Sequence, residues 1–435
     1  MIHGAGGTAI FADMKTHLLL LGATLLALQL TATAGEPADY TAHEWGTFTS
    51  VQGADGIQLD WNPLIITELP AFVYDRNRLR SNGKSGPAIL AAKTAFVARQ
   101  RLETPVIYFY SKKERSVDVS MKFPEGNVTE WYPQQNPLPA AIKKAGEPAA
   151  RWDKVRVLAS GAKAPAFPQE ARGSHYYAAR VAEASTVQVA VPNGPVQTEN
   201  FLFYRGVGQV AAPLKVALED THGETWRATN TGTETLAGLL LCELRQHEGR
   251  LLQAENLAPG ESSALPLLRR EAFLPIAQIK TQMRQHMRKS LIAAGLYASE
   301  ADAMIKTWDD SWFAEQGVRV LYLLPRPWAD RVLPLSLKPT PREVARVMVG
   351  RAEILTPGME KALTLEVERY RTGDEAARTI AVNNARSLGL GRFAEPAVRR
   401  LCMVDPKDRD FSNAAWQLLY GAFAPPAPAP ATAAR

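Results

Sequence analysis

Residues 226–267 read WRATNTGTETLAGLLLCELRQHEGRLLQAENLAPGESSALPL, and this stretch decides the fold class. Short runs of aliphatic, aromatic and β-branched residues alternate in it with turn sequences such as Asn230-Thr231-Gly232. Short strands that follow one another every 8 to 12 residues or so are typical of a β-sandwich. The stretch therefore predicts the end of an immunoglobulin-like sandwich.

The β pattern extends towards the N-terminus from this stretch. It begins near His175 and includes predicted strands at Tyr176–Val181 and Leu214–Leu218. Further upstream, the runs Val106–Tyr110 and Val128–Tyr132 have the β-branched and aromatic composition of strands. A short helix is predicted near Ala88–Arg101, so this earlier part is β-rich or α+β.

The hydrophobic period changes after Phe273. Ile279, Met283, Met287 and Leu291 recur at every fourth residue, which predicts an amphipathic helix. Strand-like and then helical segments follow. The sequence thus predicts an α+β multidomain chain, in which an α/β part and an all-α part come last. The predicted boundaries are 35–165 (N-terminal domain), 166–268 (sandwich), 269–358 (α/β domain), 359–423 (short-helix bundle) and 424–435 (disordered tail).

The segment 1–34 is typical of a secretory signal peptide. Met14 and Lys15 precede the apolar run Leu18–Leu30, and small residues end at Ala34. The predicted mature chain begins at Gly35 and contains no later run long enough to span a membrane. We therefore expect an exported protein, located in the periplasm or outside the cell.

Composition excludes several classes of protein. The 435 residues carry 50 lysines and arginines against 44 aspartates and glutamates, a surplus of six that gives no case for nucleic-acid binding. Two cysteines, Cys242 and Cys402, are too few for a disulfide scaffold or a cysteine-cluster metal site. Both lie in apolar surroundings, which favours buried thiols, although export permits a bridge between them. The sequence contains no motif that identifies a cofactor.

Residue types that are common in functional sites are most concentrated in the string His43-Glu44-Trp45-Gly46-Thr47-Phe48-Thr49-Ser50. A histidine beside a carboxylate suggests acid–base chemistry. On a strand, however, successive side chains point to opposite faces. We therefore expect His43 and Glu44 not to bind one metal ion together, and no metal site is predicted. The alternative interpretation is a structural strand in which His43 forms hydrogen bonds at a polar edge.

This string resembles the start of an uncharacterised group of exported bacterial proteins. A later segment is also similar to sequences of this group. It comprises Trp312-Phe313, Gly317–Tyr322 and Pro325-Arg326. The resemblance covers most of the predicted mature chain. It implies export and several domains, and it brings no known activity with it.

Two Glu-Trp pairs, Glu44-Trp45 and Glu130-Trp131, have the composition of a sugar site. Aromatic faces stack on pyranose rings, and two carboxyl groups divide the acid and base roles. Glu103 is a third candidate carboxylate. The alternative is that Trp45 and Trp131 are core residues beside exposed glutamates.

Further candidates lie at the ends of strands and on one helix. Tyr204 and Arg205 end one apolar strand, and Arg326 follows another, where arginine suits the binding of an anion or a salt bridge. Asp309, Asp310 and Glu315 form an acidic patch beside Trp308, Trp312 and Phe313. Adjacent carboxylates can raise one another's pKa and so serve as an acid, but the solvated side of a helix with buried tryptophans is the more common explanation.

Two functions remain open from the sequence. The favoured one is a non-catalytic envelope protein that binds a glycan or a protein. The alternative is a secreted hydrolase or lyase that acts on carbohydrate or an envelope polymer, with Glu44, Glu103 or Glu130 as acid or base and His43 as partner. A deep pocket that gathers His43, Glu103 and Glu130 would favour the enzyme. The oligomeric state is left open.

Overall fold

A ten-stranded sheet forms the centre of the fold. The computed structural model describes residues 38–63, 69–76, 97–137, 147–192, 194–219, 225–254, 256–266 and 273–423. The predicted leader, most of the predicted helix near 88–101 and the predicted tail lie outside these ranges. In chain order the described strands are β1 (Ala38–Gly53), β2 (Tyr74–Asp75), β3 (Gln100–Tyr110), β4 (Arg115–Met121), β5 (Gly126–Tyr132), β6 (Ala150–Val157), β7 (Val187–Val189), β8 (Gln197–Glu199), β9 (Leu202–Gly208), β10 (Leu214–Leu218), β11 (Thr225–Asn230), β12 (Ala237–Leu244), β13 (Glu248–Gln253), β14 (Ser262–Pro266), β15 (Leu274–Pro275), β16 (Gly317–Leu324), β17 (Leu335–Lys338) and β18 (Pro341–Leu355).

The strands form three sheets. The large sheet has the order β15-β13-β12-β16-β18-β1-β3-β9-β5-β2, so β1 and β18 lie near its middle. A five-stranded sheet has the order β17-β4-β6-β7-β8, and a three-stranded sheet has the order β10-β11-β14. Strands far apart in sequence are therefore neighbours, and the large sheet takes strands from both sides of the predicted boundaries at 165/166 and 268/269.

Helices cover this framework in two groups. In chain order the described α-helices are α1 (Ile276–Ala293), α2 (Ala298–Thr307), α3 (Arg326–Val332), α4 (Pro357–Thr372), α5 (Glu375–Ser387), α6 (Ala394–Val404) and α7 (Arg409–Phe423). The predicted stripe of α1, from Ile279 to Leu291, is buried in one core with Trp45 and Tyr108 of the large sheet. Helices α4 to α7 enclose a second core, which includes Val51 and Trp61. The large sheet thus contributes to both cores.

The prediction of a mixed α+β chain is confirmed. The N-terminal part is rich in strands and the C-terminal part is helical. One strand prediction is wrong, because residues His175–Val181 form a 3-10 helix that buries Tyr176 and Ala179. The immunoglobulin-like assignment of 166–268 stays a prediction, and the strands of that stretch are divided among all three sheets.

The helices also bear on membrane association. Among the described residues, no helix is both long enough and apolar enough to cross a membrane.

Candidate ligand-binding cleft

One face of the central strands changes from apolar to polar along their length. On β1, Trp45 lies opposite Val106 of β3 within the core, whereas Thr47 lies opposite Glu103. Two residues further along, Thr49 lies opposite Arg101. Directly opposed residues of antiparallel strands share a face of the sheet. The polar ends of β1 and β3 therefore present charged and hydroxyl groups side by side.

A β-bulge separates the apolar and polar parts. Between the two register pairs Trp45/Val106 and Thr47/Glu103, β3 contains one residue more than β1. Thr104 in this bulge has a φ of +46°, a conformation that residues other than glycine seldom adopt. Bulges bend a strand and re-aim its side chains, and they occur often beside functional sites. Glu103 follows this pattern, since it lies next to the bulge and lines a cleft.

The cleft lies between the polar strand ends, the segment that follows α2 and the turn that precedes α6. Its volume is about 280 Å³. The residues that line it are Arg101, Glu103, His175, Arg205, Trp308, Asp310, Ser311, Glu315, Gly391 and Arg392. Glu103 and Arg205 are among the site residues that the sequence predicts, and Trp308, Asp310 and Glu315 belong to the predicted acidic patch and its neighbours.

Arg392 reaches into the cleft from the helical side and binds Glu103. Its Nη1 atom lies 2.7 Å from one carboxylate oxygen of Glu103 and 3.0 Å from the other. Burial by itself raises the pKa of Glu103, but the positive charges of Arg392, Arg101 and Arg205 outweigh it and lower that pKa to about 2. Glu103 is therefore an ionised group throughout the physiological pH range.

A second charge network lies beneath the cleft. Arg351 of β18 donates to Glu315 at 2.5 Å and to Glu353 at 2.7 Å, and Arg319 of β16 lies 3.0 Å from the same Glu353 carboxylate. Burial raises the pKa of Glu315, but Arg351, Arg392 and Arg319 lower it to about 2. The cleft thus rests on a network of ion pairs between arginines and carboxylates.

We call the solvent-exposed end of the cleft at Asp310 its mouth; His175 and Trp308 line the cleft beside it. The Nδ1 atom of His175 lies 3.5 Å from a carboxylate oxygen of Asp310, whose side chain is 70% exposed. The ring of Trp308 is stacked on that of Trp312 at a centroid distance of 5.8 Å, and Trp308 is only 3% exposed. The mouth therefore offers a solvated carboxylate and almost no aromatic surface.

His43 does not lie in this cleft. It is 1% exposed, and its Nδ1 atom lies 2.8 Å from Glu300 of α2, between the rings of Tyr110 and Tyr297. Strand β1 is an inner strand between β18 and β3, so the interpretation of a polar edge is wrong.

Glu44 faces the side of the sheet opposite to His43. Its carboxylate accepts a hydrogen bond from Arg346 at 2.5 Å and another from the phenol of Tyr204. Burial, together with the Glu44 charge, raises the pKa of Tyr204 well above 10, so this phenol remains a donor. Glu44 and Tyr204 are both 0% exposed and have no access to a ligand.

The other predicted site residues also lie outside the cleft. Trp45 and Trp131 are 0% exposed, so their rings are core residues and neither presents a face to a sugar. Glu130 is 4% exposed and accepts a hydrogen bond from the Thr129 hydroxyl, which contradicts the expectation of an exposed glutamate. Arg326 binds Asp330 and the carbonyl of Val344 and is not among the residues that line the cleft.

The sequence reasoning missed Arg101 and Arg392. Arg101 fell within the predicted helix near 88–101, whereas the structure places it on β3. Arg392 follows Gly389 and Gly391, whose φ angles are +71° and +49°. Glycine adopts such positive φ angles far more readily than other residues do. A Gly-x-Gly-Arg turn between helices was a readable signal, because it predicts a sharp bend that presents a charged side chain.

The described residues hold no group of three or more histidine, cysteine, aspartate or glutamate side chains arranged to bind a metal ion. Cys242 and Cys402 are free thiols. Burial raises the pKa of Cys242 to about 11, which makes this thiol a poor nucleophile.

Comparison with known proteins gives little further information. No protein-family model matches the chain, and no curated protein matches it. Among solved structures, the chain is similar to the yeast delta-COP-I mu-homology domain complexed with a Dsl1 WxWxV peptide, at 8% identity and a TM-score of 0.27, covering 74% of this chain and 100% of that one. The same domain in another structure gives 8% identity and a TM-score of 0.28, covering 74% and 99%. Scores this low carry no inference about fold or function.

Proposed function

We propose that the protein is an exported, non-catalytic binding protein of the cell envelope, and that its cleft binds an anionic group of a glycan or protein partner. Charge supports this proposal. Five arginines lie in or directly beneath the cleft against four carboxylates; the arginines are Arg101, Arg205, Arg319, Arg351 and Arg392, and the carboxylates are Glu103, Asp310, Glu315 and Glu353. Arginine binds carboxylate and phosphate groups through a planar fork of donors.

The observation that carries the proposal is the state of Glu103. Among the predicted catalytic residues His43, Glu44, Glu103 and Glu130, it alone lines the cleft, and its pKa is about 2. A general acid or base works best when its pKa lies near the operating pH. An ion-paired carboxylate with so low a pKa is suited to holding arginines in place, and it is poorly suited to proton transfer.

Export rests on the sequence alone. The predicted leader 1–34 lies outside the described residues, and the resemblance to exported bacterial proteins rests on the string His43–Ser50 and the segment near Trp312. Fractionation of cells that produce the full chain tests this part, because a cleaved chain that begins at Gly35 is expected outside the cytoplasm.

A binding titration tests the cleft. We expect the purified protein to bind polygalacturonate or polyglutamate and not neutral dextran, with an affinity that falls as salt is added. Arg101→Gln should weaken binding by about tenfold, the loss of one charge-assisted contact worth roughly 1.4 kcal/mol. Arg288→Gln is the matched control, because Arg288 pairs with Asp302 on exposed helix surface. Equal affinities of wild type and Arg101→Gln would contradict the proposal.

One observation favours the second candidate, a hydrolase or lyase. His175 and Asp310 lie 3.5 Å apart at the mouth of the cleft, and an imidazole with a carboxylate partner is the usual acid–base pair at neutral pH. This enzyme would use His175 in place of the predicted His43. Turnover of an envelope polymer that is lost in His175→Ala, with unchanged polymer binding, would establish catalysis.

A further inference from the structure

We infer that the group that enters the cleft is zwitterionic, a carboxylate with an ammonium group beside it, so that the ligand is of peptide chemistry and not a glycan. The inference rests on the proposed function and names the ligand class. It follows from how the two signs of charge are distributed in the cleft, from the surface of its aromatic residues and from its size.

The arginines that line the cleft are much more buried than Asp310, the exposed carboxylate at its mouth. Arg101 and Arg205 are on adjacent strands, β3 and β9, and are 7% and 3% exposed. Arg392 faces them from the turn before α6, with 13% of its side chain exposed. An incoming carboxylate therefore meets guanidinium groups on two sides. Desolvation strengthens such contacts, because the effective dielectric constant falls inside a cleft.

The carboxylates of the cleft differ from one another. Glu103 and Glu315 are bound by Arg392 and Arg351 at 2.5 to 2.7 Å. Asp310 lies at the mouth, is 70% exposed, and is 3.5 Å from His175. It is therefore the acidic group best placed to accept a hydrogen bond from a ligand cation. A ligand with its carboxylate inside and its ammonium group at the mouth matches both charges.

The aromatic residues of the cleft disfavour a sugar. Trp308 is the one tryptophan among the residues that line it, and its ring is 3% exposed and stacked on Trp312. Trp45 and Trp131, the two predicted sugar platforms, are buried in the core. Recognition of a neutral pyranose relies on exposed aromatic faces. The described residues of this cleft recognise charge instead.

The size of the cleft restricts the ligand further. Its volume of about 280 Å³ lies at the lower end of the range for ligand pockets, about 300–1,000 Å³. A cleft of this size holds a group as large as one amino-acid residue and not several units of a polymer. The ligand is therefore a free amino acid, or the terminal residue of a peptide in which both charges are present.

Calorimetric titration with two matched probes tests the inference. L-Glutamate and glutarate have the same carbon chain and two carboxylates, but only glutamate has an ammonium group. We expect wild type to bind glutamate about fivefold more tightly than glutarate, because one additional ion pair contributes roughly 1 kcal/mol to the binding free energy. Asp310→Asn should reduce this ratio to about twofold or less. Asp302→Asn is the matched control, since Asp302 lies on exposed α2 surface and pairs with Arg288.

The outcomes separate the inference from the proposed function. Equal binding of glutarate and glutamate by wild type would overturn the zwitterion and leave an anion-binding cleft. An unchanged ratio in Asp310→Asn would overturn the role of Asp310 and with it the inference. Failure of glutamate, glutarate and polyglutamate to bind would overturn the proposed function itself. Circular dichroism of both aspartate variants verifies that they are folded.

Discussion

Glu44 and Glu103 are both buried carboxylates on adjacent strands of the large sheet, and each is bound by an arginine from a distant part of the chain. Glu44 on β1 binds Arg346 on the side of the sheet opposite to His43. Glu103 on β3 binds Arg392. The first pair is enclosed, with both side chains no more than 1% exposed, whereas the second pair lines an open cleft.

The difference shows what a buried ion pair contributes in each place. In the enclosed pair, the two charges have only structural partners: they join β1 to β18, to Tyr204 and to Asp330 of α3. In the open pair, the same chemistry arranges guanidinium groups where a ligand can reach them. A glutamate next to a tryptophan in the sequence does not distinguish these cases, because access is decided by the elements that cover each face.

The largest expected effect is on the enclosed pair. Glu44→Ala leaves the Arg346 guanidinium buried without its main partner, and breaking a buried pair in this way costs about 3–5 kcal/mol. Asp330, which also binds Arg346, retains part of the charge balance. We expect the free energy of unfolding, measured by urea denaturation, to fall by that amount.

A double variant provides the control. Glu44→Leu combined with Arg346→Met removes both charges, and we expect it to recover much of the lost stability, since apolar replacements of a buried pair are often neutral. A single Glu44→Ala variant as stable as wild type would show that the pair has no structural role and would remove the contrast with Glu103.

The open pair gives a pH-dependent effect. The pKa of Glu103 is about 2 in the folded protein against 4.5 for an ordinary glutamate, so the folded state favours the ionised form. The resulting stabilisation is present above pH 4.5 and is lost as the pH falls towards 2. By linkage it amounts to about 3 kcal/mol.

Urea denaturation of wild type and Glu103→Gln between pH 7 and pH 2.5 measures this effect. We expect the variant to be less stable at pH 7, with a difference that shrinks below pH 4.5 as wild type loses its advantage. A constant difference over the whole range would mean that Glu103 is not held ionised by Arg392, and it would weaken the case against acid–base chemistry.

The strands and helices themselves follow from local patterns. The four-residue spacing from Ile279 to Leu291 predicts α1, and the composition of Leu214–Leu218 predicts β10, because periodicity and propensity act within one element. The strand predicted at Tyr176–Val181 is wrong, because this segment is a 3-10 helix from which Tyr176 is buried against Phe201 and Phe203. The order of strands in the large sheet depends on contacts between distant segments, and no local pattern reports them.

The site follows from the sequence only in part. Glu103, Arg205 and two members of the acidic patch, Asp310 and Glu315, are predicted from separate patterns, and the fold brings them to one cleft. The third member, Asp309, pairs with Arg284 instead. His43 was selected because of its neighbour Glu44, but its actual partner, Glu300, is 257 positions away. Such a partnership is a property of tertiary packing, so sequence spacing predicts the face of a side chain more readily than the group that it meets.

The smallest expected effect on stability is at the mouth of the cleft. Asp310→Asn removes a charge that is 70% exposed and 3.5 Å from His175, so the free energy of unfolding should change by about 0.5 kcal/mol or less. The same substitution is expected to alter ligand preference, and this combination separates a binding group from the buried carboxylates. Thermal denaturation of Asp310→Asn beside Glu44→Ala makes the comparison directly. A loss of stability in Asp310→Asn as large as that in Glu44→Ala would place Asp310 among the structural charges, because only a group that supports the fold is so costly to neutralise.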